Sequence, residues 1–213
     1  MIKKLQQKLA GELPGIKSWE RMAVKSQEGE NIDSESLQKY SNWLSKEKMD
    51  SMKKAAVLIA FFKKDDDWFL PLIKRPMHEK NHPGQIALPG GAMEPNERLE
   101  TTALREAFEE VGIIPEKVKI IGKLTPLPVP VSKYLIYPFV GIIEKEPKWI
   151  INDDEVEELL LLKFKELVKA DNGYSENWEL RGNEVNVPIF KIRKKTIWGA
   201  TATVLCELLD LAK

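Results

Sequence analysis

The residues best suited to chemistry stand close together in mid-chain: Glu106, Glu109 and Glu110. Apolar residues recur around them at helical spacing and Gly112 follows as a stop, so a helix is expected over residues 99–111. At about 100° per residue, Leu104, Ala107, Phe108 and Val111 share one face, which we expect to be the core face. The three glutamates, at i, i+3 and i+4, are then expected on the opposite side. Like charges at this spacing repel by about a few tenths of a kcal/mol per pair on a solvated helix, so fold stability alone does not select them. A hard divalent cation such as Mg²⁺ reverses the sign of the interaction, because carboxylate oxygens are its preferred ligands. The alternative is a merely solvated acidic face.

The flanking residues decide between the two. Gly91 is followed by Glu97, then Arg105-Glu106, Glu109-Glu110 and Gly112-Ile113. This spacing resembles the Nudix box: Gly, five residues, Glu, seven residues, Arg-Glu, an aliphatic, any residue, Glu-Glu, any residue, Gly, an aliphatic. Ala107 stands where a larger aliphatic is usual, on the core side of the helix. The resemblance implies a hydrolase that cleaves a diphosphate linkage with Mg²⁺ or Mn²⁺ as cofactor. It implies Glu106, Glu109 and Glu110 as the metal-binding carboxylates, with Glu106 and Glu110 as direct ligands. It further implies Arg105 as the group that orients Glu109 or Glu97, and Glu97 as a member of the catalytic set. Gly90 and Gly91, lacking a Cβ, would let the backbone approach metal or phosphate.

Upstream, Arg75, Gly84, Pro89, Gly90 and Gly91 fall in register with a motif of the coenzyme A diphosphatase branch of that family. Lys80 stands where Arg is usual, Leu88 where Phe is usual, and Pro76 where Ser or Ala is usual. His82-Pro-Gly-Gln85 and Ile197-Trp-Gly-Ala-Thr201 resemble the same branch. The implied reaction splits coenzyme A or an acyl thioester into 3′,5′-ADP and 4′-phosphopantetheine or its acyl form. Arg75 and Lys80, with Gly84 and Gly91, are the expected substrate-binding residues; Lys80 would act as a point charge without the guanidinium fork. ADP-ribose or another nucleoside diphosphate derivative is the alternative substrate, and a non-catalytic Nudix-fold binding protein the alternative class. Asp153-Asp154-Glu155 forms a later acidic cluster, in which Glu155 is the candidate for an extra base or ligand. His78 and His82 have the spacing of a metal pair, but Pro83 disfavours a helix there. Trp198 and Tyr134 are weighed as pocket lining against ordinary packing.

These groups need a scaffold to hold them. Residues 55–62 and 68–73 read as a strand pair joined by the polar turn 63–67. Residues 85–88 lead into the breaker Pro89-Gly90-Gly91. Further strands are expected at 118–124, 134–143 and 187–192, with helices at 164–169 and 197–211, while residues 155–162 read as a strand or equally as a helix. The interleaving lacks a repeated βαβ unit. That pattern suggests an α/β (α+β) domain over 51–213 with a mixed β-sheet sandwiched between helices, and the resemblance implies that this is the Nudix fold. Residues 1–50 are expected as a helical extension, with one helix through Ile2, Leu5 and Leu9 and another over 34–49.

Composition narrows the partners. Lys plus Arg and Asp plus Glu both number 33, so a zero formal charge gives no reason to expect nucleic acid or an anionic membrane. No stretch approaches the roughly 20 apolar residues of a membrane span. The single cysteine, Cys206, excludes an internal disulfide and is expected in the core. A cytoplasmic enzyme acting on a small molecule is the expectation, with a homodimer left open.

Overall fold

The computed structural model describes residues 1–26, 46–79, 82–180 and 182–213. Along the chain, α1 (Ile2–Leu9), α2 (Ile16–Trp19), β1 (Lys25–Ser26) and α3 (Lys46–Ser51) precede the long strand β2 (Lys53–Lys64). Then come β3 (Asp67–Lys74), β4 (Ile86–Ala87), β5 (Gly90–Ala92), α4 (Leu99–Val111), β6 (Val118–Lys123), β7 (Leu127–Val129) and β8 (Tyr134–Ile143). The chain continues through β9 (Glu158–Lys163), α5 (Phe164–Ala170), β10 (Ser175–Leu180), β11 (Asn183–Pro188), β12 (Phe190–Ile192), β13 (Lys195–Ile197) and α6 (Gly199–Ala212).

Eight of these strands make one mixed sheet, in which β2 and β8 run parallel and the other pairs run antiparallel. β2 and β3 meet through a two-residue turn, Asp65-Asp66, with φ of 47° and 61° as a tight hairpin requires. They stay paired only from Phe62↔Phe69 to the turn. Beyond that point β3 takes β4 as its partner, at Ile73↔Ala87, and β2 takes β5, at Val57↔Gly90. β9 covers the other edge of β3. The sheet therefore opens between β2 and β3, and the chain from β4 through Pro89 to Gly91 fills the opening.

Alternation along β2 divides the core in two. Ala56, Leu58, Ala60 and Phe62 pack with Ala103, Ala107 and Val111 of α4. Val57, Ile59 and Phe61 pack with Ala202, Leu205, Leu208 and Leu209 of α6, together with Leu5 and Leu9 of α1. The sheet thus lies between α4 on one face and α6 with α1 on the other, the expected sandwich. Among the described residues, no helix is long and apolar enough to cross a membrane.

Several expectations need correction. The region from 172 onward holds four strands rather than the one expected at 187–192: β10 and β11 form a hairpin, and β12 and β13 a second. β7 lies in the Pro-rich residues 125–131, between the strands expected at 118–124 and 134–143, where none was expected. The stretch 155–162, open between strand and helix, is a strand that starts at Glu158, after a turn. The expected helix over 34–49 lies largely outside the described residues, which include only its end, in α3.

Candidate active site

Helix α4 ends where the sequence says it must. Gly112 takes the left-handed conformation, φ 76°, and its N–H bonds back to the Phe108 carbonyl at 2.9 Å. The carbonyls of Glu110 and Val111 then accept the N–H groups of Asn152, at 3.1 Å, and Ile150, at 3.2 Å. A distant segment thereby satisfies the orphan acceptors of the last turn.

The faces of α4 differ from the expectation. Ala103, Ala107, Glu110 and Val111 form the buried stripe, and Phe108 is 50 % exposed. Glu110 lies on the core side rather than opposite it. The cause is the close approach of β5: alanines, not large side chains, face the sheet here, so the helix settles near the backbone of Gly90-Gly91.

Both glycines are required by contact. At Gly90, with φ 151°, a Cβ would stand 2.3 Å from the Ala56 carbonyl oxygen and 2.6 Å from the Val57 Cα. At Gly91 a Cβ would stand 2.4 Å from the Glu106 carboxyl group. The Gly90 N–H donates to Glu110 Oε2 at 2.9 Å. Glu110 is 2 % exposed, and burial pushes its carboxyl up to about 8; the Gly90 bond and the charge of Arg75 oppose this shift, while Glu106 and Glu155 add to it. Glu106 is also raised by burial, against the pull of Arg105.

Arg105 ties the surrounding carboxylates together. Its Nε donates to Glu97 Oε1 at 2.9 Å and its Nη2 to Glu97 Oε2 at 3.2 Å, the bidentate fork. Its Nη1 lies 2.8 Å from Glu109 Oε2 and 2.9 Å from Glu106 Oε1, and its Nη2 also reaches the Ala92 carbonyl at 3.2 Å. Glu97 is held down to about 2, first by Arg105, then by the Thr102 hydroxyl at 2.7 Å and the Glu94 N–H at 3.2 Å. Arg105 therefore serves both carboxylates named as its alternatives, and Glu106 as well.

Glu106, Glu110 and Glu155 each bring one carboxylate oxygen within 4.8 Å of the others. Glu109 is not in this group: it is exposed and turned to Arg105. The site thus draws two acids from α4 and the third from the turn before β9. Asp153 and Asp154, beside Glu155, are exposed and stay out. Three carboxylates this close, one of them fully buried, repel each other. That donor set fits a hard divalent cation.

Arg75 sits where β3 passes into the loop toward β4. Its N–H donates to the Gln85 carbonyl at 2.9 Å, its carbonyl accepts the Gly84 N–H at 3.1 Å, and its Nη1 pairs with Glu79 at 3.0 Å. Gly84 has φ 66° there. Lys80 lies outside the described residues. His78 and His82 are exposed and join no metal-holding group among the described residues. Trp198 packs edge-on against Trp178 at 5.1 Å, and Tyr134 lies under the Lys53 ammonium at 5.9 Å. Cys206 is buried, and burial pushes its thiol up to about 12.

The site therefore sits on a mixed sheet between helices, with two glycine-backed carboxylates on α4 joined by a third from the turn before β9. The NUDIX domain model matches residues 52–181, and the chain belongs to the Nudix hydrolase family. It is 35 % identical over 157 residues to the Nudix hydrolase NudL of Enterobacter sp. (strain 638), covering 73 % of this chain and 81 % of that protein. It is 34 % identical over 159 residues to NudL of Salmonella newport (strain SL254), covering 74 % and 82 %. Among solved structures, RenU, a Nudix hydrolase from M. smegmatis, superposes with TM-score 0.51 at 16 % identity, over 76 % of this chain and 86 % of that one. A MutT/nudix family protein from Enterococcus faecalis also gives 0.51, at 19 % identity, over 85 % and 69 %. These two likenesses concern the fold.

Proposed function

We propose that this hydrolase cleaves the diphosphate linkage of coenzyme A or its acyl thioesters, releasing 3′,5′-ADP and (acyl-)4′-phosphopantetheine. The observation that carries the reaction class is the convergence of Glu106, Glu110 and Glu155, with Glu110 buried against the Gly90 N–H. These three would hold Mg²⁺ or Mn²⁺, which when bound neutralises diphosphate charge and lowers the pKa of an attacking water. The chain's own residues do the rest. Gly90 fixes one Glu110 oxygen through its N–H, and Gly91 leaves the space that the Glu106 carboxyl fills. Arg105 holds Glu106 from the side and is itself locked by Glu97. Glu109 completes the cradle of Arg105 rather than the cation group, a supporting role.

The substrate assignment rests on the loop that begins at Arg75. Its guanidinium bears electrostatically on Glu110, so it is placed to meet a phosphate bound over the carboxylates. Arg75, Gly84 and Pro89-Gly90-Gly91 keep the spacing of the coenzyme A branch, and Lys80 would add a second cation. Leu88 and Pro76 depart from the residues usual in that motif, and ADP-ribose or a related nucleoside diphosphate derivative is the second reading.

The deciding experiment is incubation with Mg²⁺ and coenzyme A, ADP-ribose, NADH and nucleoside triphosphates in parallel, with product masses. Coenzyme A is expected to yield 3′,5′-ADP and phosphopantetheine. Intact coenzyme A beside cleaved ADP-ribose would replace the first reading with the second, and no cleavage of any of these substrates would overturn both.

A further inference from the structure

Two of the three clustered carboxylates belong to one helix, so the helix itself sets their spacing. Glu155 arrives from a separate turn and needs a fixture of its own. Asn152 touches both sides of that junction. Its N–H donates to the carbonyl of Glu110 at 3.1 Å, and its carbonyl accepts the N–H groups of Glu155, at 3.0 Å, and Val156, at 2.8 Å. Its side-chain Oδ1 accepts the Asp154 N–H at 3.2 Å, while its Nδ2 donates to Glu155 Oε1 at 3.3 Å. The orientation of the amide follows from its partners: a backbone N–H demands the oxygen and a carboxylate demands the NH₂ group.

We infer that Asn152 is a positioning residue for the metal site, docking the turn onto the helix of Glu106 and Glu110 and aiming the Glu155 carboxylate into their group. The inference rests on the reading that this group holds a divalent cation. Its chemistry suits the task. An amide orients a carboxylate without neutralising it, whereas a lysine or arginine in the same place would compete with the cation for it. The backbone contact to Glu110 makes the arrangement one unit, since the residue whose carboxylate is most buried also anchors the turn that delivers the third acid. A residue that acts only as a turn former would need Oδ1 alone.

Mn²⁺ binding without substrate, followed by titration calorimetry, separates these roles when combined with melting curves and with kcat and KM. The variants are Asn152→Ser, Glu155→Gln and the double variant. Serine keeps an acceptor in place for the Asp154 N–H and loses the reach to Glu155. Asn152→Ser is expected to weaken Mn²⁺ binding about 10-fold, as loss of a group that orients a ligand typically does. Glu155→Gln is expected to weaken it further, and adding Asn152→Ser to Glu155→Gln is expected to change nothing more. A lowered melting temperature with Mn²⁺ affinity unchanged in Asn152→Ser, beside a weakened Glu155→Gln, would overturn the inference and leave the cation reading standing. Multiplying effects in the double variant would also overturn it, because Asn152 would then act other than through Glu155. Wild-type Mn²⁺ affinity in Glu155→Gln would remove the ligand role of Glu155 and the inference with it.

Discussion

Two glutamates are buried almost equally on opposite faces of the sheet, and their surroundings are opposite in kind. Glu207, 1 % exposed on α6, accepts the N–H groups of Gly15 and Thr125, the Thr125 hydroxyl at 2.6 Å and the Trp19 indole N–H at 3.2 Å. Glu110, 2 % exposed on α4, accepts the N–H of Gly90 and faces two further carboxylates. A buried carboxylate ringed by neutral donors fastens elements together; here it joins α6 to α2 and to the segment before β7. A buried carboxylate ringed by its own kind costs the fold stability until a cation arrives. Burial alone therefore does not tell the two acids apart, but the nature of their neighbours does.

That contrast can be broken most forcefully at Glu110. Glu110→Gln is expected to lower turnover by at least ~100-fold, through loss of the metal-assisted route, without lowering the melting temperature. Steady-state rates and thermal melts check both halves, and a destabilised but active variant would erase the distinction. Glu207→Leu should do the reverse. It removes the acceptor that the donors of Gly15, Thr125 and Trp19 share, at about 3 kcal/mol in all. For a chain of this size that lowers the melting temperature by roughly 6–12 °C, with kcat preserved.

Gly91→Ala tests the space on the Glu106 side. Its Cβ would collide with the Glu106 carboxyl group, so Mn²⁺ affinity measured by calorimetry is expected to fall about 10-fold. The pH dependence is a milder probe. In chelator-treated protein Glu110 keeps its proton up to about 8, whereas in the unfolded chain it ionises near 4.5. Between those values the folded state binds more protons, so this group's contribution to stability falls as pH rises and levels off above about 8. Glu97, held down to about 2, runs the other way: its contribution is present above 4.5 and disappears as pH falls toward 2. Melts across pH with and without excess Mg²⁺ should show the decline between pH 4.5 and about 8 only in the chelated sample. Smallest of all, Phe108→Ser should shift stability by no more than about 0.5 kcal/mol in a denaturant melt, since half of that side chain is already in water.

Phe108 also shows where sequence patterning misleads. The helix limits at Leu99 and Val111 were legible because a periodic apolar run ends at a glycine. The face was not, because the largest apolar residue was given the core, while the actual neighbour is a strand backbone that admits only Ala103 and Ala107. The link from Arg105 to Glu97 was one of two alternatives that the family resemblance implied, and Arg105 holds both acids. Glu155 was a candidate for an extra base or ligand, but its place beside Glu106 and Glu110 was not legible, because it depends on a contact between the end of α4 and a turn remote in sequence. β10 escaped notice for another reason. Ser175-Glu-Asn-Trp-Glu-Leu180 is mostly polar and only half-buried, so its strand comes from pairing with β11 and not from an apolar pattern. β7 was hidden by Pro128, a residue confined to strand edges.

The docking of residues 150 and 152 on the carbonyls of Glu110 and Val111 also bears on how this family of sequences can change length. The connection that leaves β8 after Ile143 enters the site only beyond that anchor. Residues inserted or deleted around 144–148 would alter a surface loop and leave the third carboxylate where it is. Length changes between 152 and 155 would move it directly. The anchor thus divides the segment into a stretch free to vary and a stretch whose register is fixed.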